Sequence, residues 1–285
     1  MKLIRFGEAG KEKPGINIEG KKFDVSAFVN DFNEAFFAGD GLQKLAAEIE
    51  KNQNKLPAIA ADVRLGSPIA RPSKIVCIGL NYADHAKETN ADLPAEPAIF
   101  LKSTTALCGP NDNIMIPRNS VKTDWEVELA VVIGKRTSYV DEAEALDYVA
   151  GYCLHNDLSE REFQLERNGT WDKGKGCDTF APLGPWLVTK DEIADSGNLR
   201  LWLKVNGQTM QKSNTSNFIF NVAYLVSYVS QFMTLLPGDV ISTGTPAGVG
   251  LGMKPPVYLK PGDVIELGID GMGTSRQNVV AFSKV

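Results

Sequence analysis

Two carboxylates stand inside a run of sequence where carboxylates are costly. In Thr123-Asp124-Trp125-Glu126-Val127-Glu128-Leu129-Ala130-Val131-Val132-Ile133 the right half is apolar and β-branched, the pattern of a strand buried on both faces. Glu126 and Glu128 are two apart, so strand periodicity puts both on one face. Side by side in a core they repel and are expensive to desolvate. A hard divalent cation bound through oxygen, Mg²⁺ or Mn²⁺, makes the arrangement favourable. An edge strand whose glutamates face water is the other reading of the same residues. Asp157 is placed to be a third ligand, where a strand expected over 151–156 ends, because the ends of adjacent strands converge on clefts. Taken alone, a turn or cap role is the better account of it.

Further along, Ser159-Glu160-Arg161-Glu162 fits a capping box opening a helix toward Arg167, on which Arg161 and Gln164 share a face. Lys175 lies in Lys173-Gly174-Lys175-Gly176, where backbone can approach a ligand closely, although no phosphate-loop pattern is present. Arg161, Gln164 and Lys175 suit the carboxylate and carbonyl oxygens of a small acidic substrate; ordinary surface solvation is the alternative for each. In Gly79-Leu80-Asn81-Tyr82-Ala83-Asp84-His85-Ala86-Lys87-Glu88, a helix would stack His85 and Glu88 on one face. That pairing can deprotonate water near neutral pH, and it is also what an exposed ion pair looks like. His155, two residues before Asp157, reads as support for a ligand or as plain structure. Thr245, in the turn Ser242-Thr243-Gly244-Thr245-Pro246-Ala247-Gly248, could hold an anionic oxygen together with backbone amides, or simply complete a turn.

The elements that must position these residues fall into two expected units. Residues 1–70 read as a small α+β domain: strands near Leu3–Phe6, Gly15–Ile18 and Phe23–Val25, then a helix over 42–49, closed by the proline-bearing linker Pro68–Pro72. Residues 71–285 are expected to form the catalytic domain. Its strands are predicted over 74–79, 98–101, 126–133 and 151–156, with short helices over 142–149 and 220–232. An Asn206-Gly207 hairpin follows Leu199–Val205, and two Pro-Gly-Asp-Val turns, at 237–240 and 261–264, each feed an apolar strand. Strands dominate without regular alternation with helices, which favours a mixed or antiparallel β core over a doubly wound sheet. The 285 residues carry a net charge of −5, no basic run and no apolar stretch of spanning length, so neither nucleic acid nor membrane is an expected partner. Four cysteines without CxxC spacing, two histidines, and an N-terminus without signal-peptide features point to a reduced cytoplasmic protein with no zinc site of the usual kind.

Taken in order, GLNYADHAKE, DWEVELAVVIG, HNDLSEREFQ, WDKGKGCDTFAPLGPW and STGTPAGVG resemble the fumarylacetoacetate hydrolase family over roughly residues 70–285. The resemblance implies an α+β, β-rich fold, a mixed β-roll of that family's C-terminal domain type, usually dimeric and holding Mg²⁺ or Mn²⁺. It implies Glu126, Glu128 and Asp157 as metal ligands, and His85 with Glu88 as a water-activating dyad on a lid that orders with substrate. Lys175 would act with them, and Tyr82, Arg161, Gln164 and Thr245 would face the substrate. Animal members add an aspartate ligand upstream of the histidine, and none closely precedes Tyr82 here. The three-carboxylate set is similar to the acylpyruvase-like branch, and within it to bacterial 2,4-diketo-3-deoxy-sugar-acid hydrolases or ureidoglycolate lyases. The expected reaction is hydrolysis of a C–C bond in a 2,4-diketo acid, giving pyruvate plus a carboxylic acid. Ureidoglycolate lyase, oxaloacetate decarboxylase and unsaturated-dioate isomerase chemistry are the alternatives on the same site.

Overall fold

The computed structural model describes residues 1–52, 55–84 and 93–284. Its centre is the strand Val127–Ile133, every residue of which is buried. It pairs antiparallel with Val149–Asn156 on one side and Val240–Ser242 on the other. A ten-stranded mixed sheet spreads from this core. In one direction Val240–Ser242 pairs parallel with Ile75–Gly79, which pairs antiparallel with Ala98–Lys102. In the other, Val149–Asn156 leads through Leu187–Thr189 to the N-terminal strands Lys2–Phe6, Lys13–Ile18 and Lys21–Asp24. Residues on either side of position 70 therefore share one sheet.

A second sheet of five strands orders Gln208–Asn214, Arg200–Val205, Val264–Ile269, Gly273–Val280 and Ile114–Met115. Its first hairpin turns at Asn206-Gly207, with φ of 51° and 79°, the two positive values that a two-residue turn matching strand twist requires. The two Pro-Gly-Asp-Val turns both put glycine at positive φ, 89° at Gly238 and 98° at Gly262, as the third position of a type II turn demands. They feed strands of different sheets, Val240–Ser242 and Val264–Ile269, so they are similar turns in unrelated settings.

Buried amides join the two sheets where Val127–Ile133 begins. Gln211 of the second sheet accepts from Val127 N at 2.9 Å, and Asn156 donates from Nδ2 to Gln277 Oε1 at 2.7 Å. Backbone donors at a strand end must find partners once buried, and these side chains supply them. The helix Val222–Ser230 is capped by Asn221, which accepts from Tyr224 N. The segment expected as a capped helix after Ser159 differs. Ser159–Glu160 is a short strand on Thr123–Asp124, and Glu162–Glu166 is a single π-helical turn. Glu160 rather than Ser159 receives the free amide, from Phe163 N at 2.6 Å. Its longer side chain reaches the turn while Ser159 is drawn into the carboxylate cluster.

Leu129 is fully buried in the central strand, so Leu129→Ala is expected to cost roughly 2–5 kcal/mol in urea unfolding. Near the N-terminus Glu12 lies between Arg64 and Arg5; burial raises its carboxyl, but the two guanidinium groups hold it below the usual range. A carboxylate depressed in this way stabilises the fold above its unfolded pKa, and the stabilisation fades as pH falls through the folded one. Arg64→Met should therefore lower stability at pH 7, and its deficit against the parent should shrink below about pH 4.

Candidate active site

Glu126 and Glu128 reach one cavity of about 220 Å³, whose lining also includes Arg161, Gln164, Lys175 and Thr245. Asp157 follows the strand Val149–Asn156 and is fully buried, tied to the cavity through Lys175. Glu126, Glu128 and Asp157 each offer an oxygen, and these oxygens lie within 4.8 Å of one another. Glu128 in the strand Val127–Ile133 and Glu126 just before it are thus brought together, and the neighbouring strand end brings the aspartate.

Such a cluster needs positive charge, and three buried cations provide part of it. Lys175 Nζ is 2.6 Å from Glu126 Oε2 and 2.9 Å from Asp157 Oδ2. Lys102 Nζ is 2.5 Å from Asp157 Oδ1 and also donates to the Leu158 carbonyl at 2.9 Å. Arg161 pairs through Nη2 with Asp124 and Glu126, each at 2.8 Å. Burial on its own would raise the carboxyls of Glu126 and Asp157, but these cations hold both below the usual carboxylate range. Glu128 behaves oppositely. Burial, with Asp157 and Glu126 beside it, pushes its carboxyl well above that range. No ion pair reaches Glu128 among the described residues. Its Oε2 instead accepts from Ser242 Oγ at 2.6 Å and from Gly244 N at 2.9 Å.

His155 extends this chain, its Nδ1 lying 2.6 Å from Ser242 Oγ. Burial pushes its imidazole down to about 3, so the ring is neutral. Because the single Ser242 proton goes to Glu128, the consistent tautomer carries the hydrogen on Nδ1 and leaves Nε2 bare. That nitrogen is buried without a partner among the described residues.

The residues present fit a hard divalent cation. An ionised carboxylate has about four lone-pair sites, and each of the three keeps some unoccupied. Among the described residues Asp157 accepts from Lys102 and Lys175, and Glu128 accepts through Oε2 alone. Glu126 accepts from Arg161, Lys175 and, at 3.4 Å, Ser159. All the donors are oxygens, which suits Mg²⁺ or Mn²⁺ better than softer metals. Counting Asp124, Glu126, Glu128 and Asp157 against Lys102, Lys175 and Arg161 leaves one negative charge when every group is ionised. A divalent ion would turn that into one net positive charge facing the cavity, which favours an anionic ligand.

The other candidate residues separate. Arg161 fixes Gln164 by donating to its Oε1 at 3.0 Å, which leaves the Gln164 amide NH₂ as a donor for a cavity ligand. Thr245 lines the cavity, but its hydroxyl donates to the Val127 carbonyl at 3.0 Å and accepts from Gln211. Tyr82 lies off the cavity lining: it is fully buried edge-on against Phe218, and its hydroxyl has no partner among the described residues. His85 and Glu88 lie outside the described residues. The backbone entering them is pinned, because Asn81 bonds Phe220 and Thr243, and Asp84 accepts from Ser213 Oγ at 2.6 Å.

The sequence matches the family profile described as fumarylacetoacetate (FAA) hydrolase C-terminal over residues 74–280. The chain belongs to the fumarylacetoacetate hydrolase family. A Burkholderia multivorans protein, provisionally named a hydrolase, is 54% identical over 279 residues, covering 97% of this chain and 98% of that one. The fumarylacetoacetate hydrolase of psychrophilic Exiguobacterium antarcticum superposes with a TM-score of 0.86 at 34% identity, over 99% of this chain and 100% of that chain. Maleylpyruvate hydrolase from Sphingobium sp. SYK-6, solved in complex with manganese(II) ion and pyruvate, gives 0.83 at 30% identity, over 99% and 100%. The fold is accordingly the α+β, sheet-rich fold of a family of enzymes.

Within this fold Lys102, Asp124 and Ser242 are site residues that the sequence did not single out. Strand alternation could have flagged two of them: Lys102 follows Phe100 by two, and Asp124 precedes Glu126 by two. Removing Lys102 strips Asp157 of one of its two cations, so Lys102→Met should cost roughly 3–5 kcal/mol. The double variant Lys102→Met/Asp157→Asn should recover much of that loss in a thermodynamic cycle measured by urea unfolding.

Proposed function

We propose that this chain is a hydrolase dependent on Mg²⁺ or Mn²⁺ that cleaves the C3–C4 bond of a 2,4-diketo acid, giving pyruvate and a carboxylic acid. The observation that carries this reading is the convergence of Glu126, Glu128 and Asp157 beside a cavity that also holds Arg161, Gln164 and Lys175. The likeness to a maleylpyruvate hydrolase bound to manganese(II) and pyruvate supports it. Glu126, Glu128 and Asp157 would hold the ion. When bound, the ion supplies Lewis-acid polarisation of the 2-keto acid end of the substrate.

The chain's own groups do the rest. His85, oriented by Glu88, takes a proton from water, which adds to the C4 carbonyl. The Gln164 amide and the Lys175 ammonium stabilise the negative oxygen formed there, as fixed donors that need no reorganisation. Arg161 keeps Gln164 turned for this task through its bond to Oε1. The C3–C4 bond then breaks and C3 takes a proton, so that one water is consumed for each pyruvate and acid formed. Tyr82 and Thr245 are assigned to shaping the cleft, and the working protein is taken as a cytoplasmic homodimer. Isomerisation of an unsaturated dioate, decarboxylation of oxaloacetate and cleavage of ureidoglycolate are the competing outcomes, and each gives different products.

The test is pyruvate release from a panel of 2,4-diketo acids and oxaloacetate, with Mn²⁺ and then with EDTA. Release of pyruvate together with a carboxylic acid, abolished by EDTA, is the expected result. Pyruvate from oxaloacetate alone, or no turnover despite bound Mn²⁺, would contradict the reading. Glu128→Gln should weaken Mn²⁺ binding in a titration followed by electron paramagnetic resonance. His85→Ala should leave that binding intact and lower kcat by about 10²–10⁴-fold.

A further inference from the structure

The cavity lining is chemically mixed. Beside its charged groups it carries Ile78, Phe100, Leu165, Trp171, Val249 and Leu251, and Lys175 Nζ lies 5.0 Å from the centroid of the Phe100 ring. The apolar part is built rather than incidental. Trp171 stands edge-on to Phe100, with centroids 5.3 Å apart at 63°. Gly79 leaves the room that the indole needs, since a Cβ there would fall 2.7 Å from Trp171 Cζ3. Toward the mouth, Leu165 and Leu251 are 46% and 37% exposed. A lone exposed leucine is ordinary, but two that line the same cavity as an aromatic pair form a surface that a ligand would cover favourably.

Most polar groups of the site are meanwhile engaged with one another, while the Gln164 NH₂ is left as a donor toward the 2,4-dicarbonyl part of a ligand. Lys175 is held by Glu126 and Asp157, Arg161 by Asp124, Glu126 and Gln164, and the Thr245 proton by Val127. A ligand whose far end lies against Trp171, Leu165 and Leu251 would leave hydroxyls there with few protein partners among the described residues, and desolvating an unpaired hydroxyl opposes binding.

We propose that the group beyond the C4 carbonyl of the substrate is an apolar alkyl or aryl chain, not the polyhydroxylated chain of a sugar acid and not a second carboxylate. This inference rests on the hydrolase reading above. It assigns Trp171, Leu165 and Leu251 to specificity: they contact the acyl arm while the 2-keto acid end lies against the charged groups.

The experiment compares kcat/KM with Mn²⁺ for acetylpyruvate, hexanoylpyruvate, fumarylpyruvate and a 2,4-diketo-3-deoxy sugar acid. Hexanoylpyruvate should exceed acetylpyruvate by at least about tenfold, since even one extra methylene in an apolar pocket is worth roughly 10–200-fold. In Trp171→Ala, and in the milder mouth variant Leu251→Asn, the ratio of hexanoyl to acetyl substrate should fall by about tenfold. Equal rates for the two, or a sugar acid or fumarylpyruvate as the best substrate, would overturn this inference while leaving the hydrolase reading standing. A ratio unchanged in both variants would remove the assigned residues and overturn it as well. No hydrolysis of any member would overturn the hydrolase reading itself, and this inference with it.

Discussion

The structure turns on a buried charge balance. Among the described residues four carboxylates, Asp124, Glu126, Glu128 and Asp157, share one desolvated region with three cations, Lys102, Lys175 and Arg161. Three of the carboxylates are paired, and the pairs interlock: Glu126 is shared by Arg161 and Lys175, and Asp157 by Lys175 and Lys102. Desolvation makes each unpaired charge expensive, so such a network holds its members to narrow positions. Glu128 is left over, satisfied by a hydroxyl and an amide but by no cation among the described residues. Burial and its two carboxylate neighbours push the Glu128 carboxyl well above the usual range, and a divalent ion in the volume all three face is the natural complement that would favour its ionised form.

The fold is arranged to keep this region from relaxing. The fully buried strand Val127–Ile133 carries Glu128, and Glu126 immediately precedes it. Its first backbone donor is held by Gln211, and the amide of Glu126 by Asn156 Oδ1 at 3.1 Å. Asn156 is tied in turn to Gln277 of the second sheet. On the other flank Gly244, at φ of 98° and with no space for a Cβ beside Asn81, brings its amide to Glu128. Packing, backbone satisfaction and electrostatics therefore all bear on the same few residues, and the π-helical turn Glu162–Glu166 sits beside them, as such turns often do at functional sites.

Much of this was legible in the chain itself. The period of two marks Glu126 and Glu128, and the apolar run after them marks a buried strand; both are local patterns. The hairpin at Asn206-Gly207 and the Pro-Gly turns are likewise set by residues adjacent in sequence. What escaped depends on distant pairing. Lys102 at a strand end looks like an ordinary surface lysine until Asp157, 55 residues later, is brought to it. Asp124 precedes the apolar run and carries no local signal of its role, yet it anchors Arg161, 37 residues on. Ser159 satisfied a helix-start pattern, but the carboxylate cluster and the pairing with Thr123–Asp124 claimed that segment for a strand. In each case a tertiary partner outweighed a local preference.

The most direct test of the charge-balance account is crystallographic. Crystals soaked in Mn²⁺ and measured near the manganese absorption edge locate the ion without reference to catalysis. The account predicts one strong anomalous peak in contact with oxygens of Glu126, Glu128 and Asp157, with Lys102 and Arg161 still paired as described. A fully soaked crystal with no peak there, or with its manganese elsewhere, would contradict the claim that this cluster is a cation site.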